Sequence, residues 1–229
     1  MGEKSWPISR IAKDDVCLIG IPQRLGDGRR YSKDTFDSFP SLEEAVGENW
    51  QSSIVSTLLE KNRLFAWWMS TKVFKKSGLR SYRADKLPDQ LDISSLTKNL
   101  YIRRFPFRGN ILVVMDASDD NLRSSISDWC GADTEIEPEF IWSAPTATDH
   151  WDIAQITDWC RSSARWPDPI SLLPSYARRM IALFDGDIYC ALAQTDAGNV
   201  MSALHDLAHL WGISIISGPD EYSWIPVQG

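Results

Sequence analysis

Glycine-rich phosphate loops, paired cysteines and long apolar runs are all missing from this chain of 229 residues. Cys17, Cys130, Cys160 and Cys190 are scattered with no CxxC pair, which speaks against a disulfide framework. Reduced, buried thiols in a cytoplasmic protein are the simplest expectation. No apolar stretch approaches the ~20 residues that cross a bilayer, so no membrane span is expected. The opening MGEKSWPISRIAKDD has no apolar core of the secretory type. Gly2 is no myristoylation signal either, because Trp6 stands where Ser or Thr is needed. There is no GxSxG elbow, and Gly26-Asp27-Gly28 lacks the third glycine and the strand–helix setting of a dinucleotide loop.

What is present is tryptophan and an uneven spread of charge. Eleven tryptophans are many for this length; most belong to a core, and some can anchor a partner. The net charge of −7 hides a division along the chain. Residues 61–108 carry twelve Lys and Arg against three acidic residues, whereas 109–229 carry five against eighteen. Either the basic middle is an external interaction surface or it packs on the acidic C-terminal half.

Hydrophobic periodicity predicts an α/β (α+β) fold, with a mixed β-sheet and helices on one face in residues 100–229. A mainly helical or irregular, basic region is expected over residues 1–99, with one short strand at 16–21. Ser41-Leu42-Glu43-Glu44 is a capping box, opening a helix that runs to about residue 61. Residues 64–74 fit strand or helix equally, and 78–99 read as a polar linker or lid. Residues 110–115 (NILVVM) form a buried-strand run followed by a helix, and 149–162 another helix. Asp185-Gly186 between two apolar runs signals a hairpin. The apolar spacing from Val200 to Trp211 then predicts a helix stopped by Gly212, with strands after it at 213–216 and 222–227. Residues 121–128 and 199–206 align, which suggests a duplicated strand–helix–strand layout.

Four patterns carry possible chemistry. Asp133, Glu135, Glu137 and Glu139 alternate with Ile136, Phe140 and Trp142, so a strand over 133–142 places four carboxylates on one face, ~7 Å apart. Pro138 cannot donate to a ladder, which predicts an edge strand. Such a stripe fits a basic protein partner; its bland counterparts are edge protection and an internal basic mate. His205 and His209 stand at i and i+4, the spacing of zinc-binding helices, with His150, Asp220 or Glu221 as conceivable third ligands. Two ordinary histidines on a solvated face are the simpler account. Asp116, Asp119 and Asp120 follow the best strand and fit Mg²⁺ ligation or plain helix capping. Finally Lys75, Lys76, Arg103 and Arg104, interleaved with Phe74, Tyr82, Tyr101 and Phe105, resemble the recipe for a nucleic-acid groove.

The expected function is therefore a non-enzymatic cytoplasmic binding protein. Its concrete form is an immunity- or antitoxin-like inhibitor that neutralises a basic effector protein through Asp133, Glu135, Glu137 and Glu139. Two alternatives stand beside it: a metal-dependent hydrolase using His205 and His209, with zinc as the candidate metal, and a nucleic-acid-associated protein using residues 72–108.

Overall fold

The computed structural model describes residues 4–13, 15–26, 40–60, 62–92, 100–105, 109–117, 120–130, 139–144, 150–162, 179–184 and 186–218. The chain opens with strands β1 (Ser5–Lys13) and β2 (Val16–Ile21), then helices α1 (Leu42–Val46) and α2 (Trp50–Leu59). Strand β3 (Leu64–Ser70) runs directly into α3 (Thr71–Lys76), a 3-10 turn (Leu79–Ser81), β4 (Ala84–Lys86) and β5 (Gln90–Asp92). Next come β6 (Leu100–Phe105), β7 (Asn110–Asp116), α4 (Asp120–Trp129), β8 (Glu139–Ala144), β9 (His150–Asp152) and α5 (Ile153–Ser162). The hairpin of β10 (Arg179–Phe184) and β11 (Asp187–Ala193) leads through a 3-10 turn to α6 (Ala197–Leu210) and β12 (Ser214–Ser217).

Ten of these strands form one mixed sheet in the order β12-β1-β2-β11-β10-β8-β3-β7-β6-β4, and β5 pairs separately with β9. Only the outermost pairs, β12–β1 and β6–β4, are parallel. The α+β class is as expected, but the mainly helical N-terminal region is not. β1 and β2 lie between β12 and β11, and β3 lies between β8 and β7, so no boundary at residue 99 divides the sheet. β1 is hidden in the sequence by Pro7. That residue falls between Ser5, which exchanges hydrogen bonds with Gly26, and Ser9, where pairing with β2 begins, so its missing N–H breaks no rung.

Strand β3 shows why periodicity left 64–74 undecided. Leu64, Ala66 and Trp68 are buried on one face and Phe65, Trp67 and Met69 on the other, so the strand is apolar all round. Ser70 then stops it and caps α3, its hydroxyl accepting from the Val73 amide at 3.2 Å. β7 is built the same way, with Ile111, Val113 and Met115 opposite Leu112 and Val114.

Helices cover both faces, not one. α2 packs against both α4 and α6 on the face that holds Trp67, Ile141 and Ile181. α5 lies on the other face, where Ile153 and Ile156 join Trp68, Phe140 and Trp142. The two aligned segments both fall in crossover helices: α4 joins the parallel strands β7 and β8, and α6 joins the parallel strands β11 and β12. Local punctuation behaves as read. Ser41 and Glu44 bond reciprocally, at 3.1 and 2.9 Å, and Gly186 and Gly212 take φ of +82° and +67°. Asp185 and the strand expected at 222–227 lie outside the described residues.

Candidate interaction surface

Strands β4 and β6 of the basic segment end the sheet opposite β12, while Arg63 and Arg103 reach Asp116 and Thr157 of the acidic half. Helix α3 turns Val73 and Phe74 into the core and leaves Lys72, Lys75 and Lys76 exposed. Gly78, at φ +72°, reverses the chain into the 3-10 turn, which buries Leu79 and exposes Arg80. β4 then pairs with β6 in the register Ala84↔Leu100, Asp85↔Tyr101 and Lys86↔Ile102. Strand alternation places Ala84, Lys86, Ile102 and Arg104 on the same face as α3, and Arg104 lies 5.9 Å from the Phe74 ring centroid.

Five exposed cations thus share one end of that face: Lys75, Lys76, Arg80, Lys86 and Arg104. None of them forms an ion pair with a described residue. Asp85 points to the opposite face with Arg83, whose Nε stands 3.8 Å from its carboxylate. A shallow depression of about 370 Å³ lies along the β4–β6 edge, lined by Ala84, Asp85, Lys86, Ile102, Arg103 and Arg104.

Arg103 does not belong to this cluster. It points to the α5 face, pairs with Asp89 at 2.6 Å, and donates to the Leu87 carbonyl at 3.1 Å and the Thr157 hydroxyl at 3.2 Å. Its role is to tie β6 to the 87–89 segment and to α5. The aromatics of the segment are likewise structural. Phe74 is buried, Phe105 meets Trp68 edge-on at 4.8 Å, and Tyr82 and Tyr101 pack against the two cores.

The acidic stripe is corrected at its one described member. β8 lies between β10 and β3, in the middle of the sheet rather than at an edge. Glu139 faces the α2–α4 side and is only 2% exposed, its Oε2 accepting from the Trp67 indole at 3.1 Å. Within Glu139–Ala144, Glu139 and Ile141 face one side and Phe140 and Trp142 the other, and both sides are covered, so Glu139 offers no partner a docking point. Asp133, Glu135 and Glu137 lie outside the described residues. His205 and His209 are exposed on α6, and among the described residues no group of three potential ligands is arranged to hold a metal. Asp220 and Glu221 lie outside those residues. Asp116 is gripped by Arg63, Nε and Nη2 each at 2.6 Å, and this carboxylate raises the Arg63 pKa through its hydrogen bond and charge. Asp119 is not among the described residues.

A buried polar network under α2 escaped the sequence reading. Arg179 on β10 meets Asp196 at the start of α6, and Asn62 donates to the Ser143 hydroxyl at 2.8 Å. Asp196 stands in a run of capping residues and Arg179 beside an apolar strand, so only their meeting in space marks the pair. Burial also pushes two thiols up, Cys130 well above its ordinary value and Cys190 to about 12. Neither is a thiolate nucleophile at neutral pH.

No family model matches the chain, and no curated protein or solved structure matches it either.

Proposed function

We propose that this chain is a non-enzymatic binding protein that docks an acidic protein partner at the β4 end of its sheet. The observation that carries this reading is that Lys75, Lys76, Arg80, Lys86 and Arg104 lie exposed on one face with no ion-pair partner among the described residues. Uncompensated like charge raises the local potential, steers an oppositely charged surface towards it and fixes its orientation. Stacking of nucleic-acid bases requires accessible rings. Phe74 is buried, and Tyr82, Tyr101 and Phe105 are partly buried against the cores, which favours a protein partner over a single-stranded nucleic acid.

Binding to immobilised polyglutamate, measured over a range of salt, tests the surface directly. The full chain is expected to be retained at low salt, with Lys75→Glu/Lys76→Glu/Arg104→Glu weakening binding by at least about tenfold. Equal binding by the variant rules this surface out. Tighter binding of an oligonucleotide of equal charge, lost in the same variant, would instead make the partner a nucleic acid.

A further inference from the structure

We infer that the acidic partner adds an extended segment to the outer edge of β4, which no strand among the described residues pairs with, as an eleventh strand with carboxylates at alternate positions. This rests on the docking surface proposed above and concerns how that surface is used. The rungs between β4 and β6 alternate: the Leu100 amide donates to the Arg83 carbonyl, and the Leu87 amide donates to the Ile102 carbonyl, both at 3.0 Å. Residues 83, 85 and 87 therefore face β6. The intervening Ala84 and Lys86 direct N–H and C=O the other way, where among the described residues nothing bonds to them. Both residues are exposed. They present two donors and two acceptors at the spacing of a strand, ready for main-chain pairing with an incoming segment.

Charge selects the occupant. On the face shared with α3, Lys86 sits beside Arg104, Lys75, Lys76 and Arg80, so an added strand turns every second side chain towards cations. On the opposite face it meets Arg83 together with Asp85, a mixed pair that rewards no particular sign. Acids at alternate positions fit, and a continuous acidic block fits less well. A second copy of this chain is disfavoured, because edge-to-edge pairing of β4 sets the cations of one copy against those of the other.

The test uses the full chain and three labelled octapeptides: ETETETET, the same peptide N-methylated at alternate residues, and the block EEEETTTT. The alternating peptide is expected to bind at least about tenfold more tightly than either of the others. Its addition is expected to slow hydrogen exchange at the Ala84 and Lys86 amides. Ala84→Pro removes one outward donor without touching a β6 rung, and is expected to abolish the preference for the unmethylated peptide. Equal affinity for the three peptides, with unchanged Ala84 and Lys86 amides, overturns strand addition. In that case weakening by Lys75→Glu/Lys76→Glu/Arg104→Glu keeps the docking surface, and unchanged binding by that variant overturns the surface as well. No binding of the alternating peptide beside retained polyglutamate binding also overturns strand addition alone.

Discussion

The guanidinium of Arg179 and the carboxylate of Asp196 form a buried ion pair, with Nε and Nη2 at 2.9 and 2.7 Å from one carboxylate oxygen. The two residues are 6% and 4% exposed. Arg179 also donates through Nη1 to the Leu58 carbonyl at the end of α2, and Asn199 donates to the other Asp196 oxygen at 3.4 Å. One arginine thus joins β10, the start of α6 and the end of α2, on the face that α2, α4 and α6 cover.

Breaking this pair from one side leaves a charge in the interior with no counterion. Arg179→Met or Asp196→Leu is expected to cost about 3–5 kcal/mol, measured by urea unfolding. Replacing both residues together is expected to cost less than the two single effects summed, because the double variant strands no charge.

The Trp67–Glu139 bond gives a second test. Trp67→Phe removes the indole donor from a buried carboxylate and is expected to destabilise by about 1–3 kcal/mol, plus the lost ring volume. Glu139→Gln keeps an acceptor for the indole and is expected to cost less. An equal loss in both variants would mean that the charge, not the hydrogen bond, matters at this position.

Two glycines separate a conformational cost from a steric one. Gly186 has φ +82°, and a Cβ there meets only the end of the Gln23 side chain, so Gly186→Ala is expected to cost about 1–2 kcal/mol from backbone strain. At Gly218 a Cβ would lie 2.8 Å from the Ser9 backbone nitrogen and 2.9 Å from the Pro7 carbonyl oxygen. Neither neighbour is free to swing away. Gly218→Ala is expected to be the more damaging of the two in thermal unfolding, with β1 forced to shift.

Cys190 predicts a loss of stability in alkali. Its pKa is raised to about 12 by burial, above the ~8.5 of an unfolded thiol. The folded state therefore holds this proton more tightly. The stabilisation is complete below the unfolded value and is lost as pH rises towards the folded one. Unfolding free energy measured between those values is expected to fall less steeply for Cys190→Ala than for the native chain. In a Cys160→Ser background, buried Cys17, Cys130 and Cys190 are expected to react with a thiol reagent only on unfolding.

Local chemistry was legible in the sequence because it acts over a few residues. The Ser41–Glu44 box, the Gly186 turn, the span of α6 and its Gly212 stop follow from capping, left-handed φ and helical spacing. Lys75, Lys76, Arg103 and Arg104 stood out as a candidate nucleic-acid surface from cations interleaved with aromatics. Partner strands are not encoded within such windows. Only the tertiary structure sent Arg103 and Arg104 to opposite faces, set β8 in the middle of the sheet and buried Glu139 against Trp67. It also paired Arg179 with Asp196 and left the outer side of β4 unpaired among the described residues. An alternating strand shows the same period whether its polar face meets water or a second layer of helices. Which of the two it meets depends on elements far away in the chain.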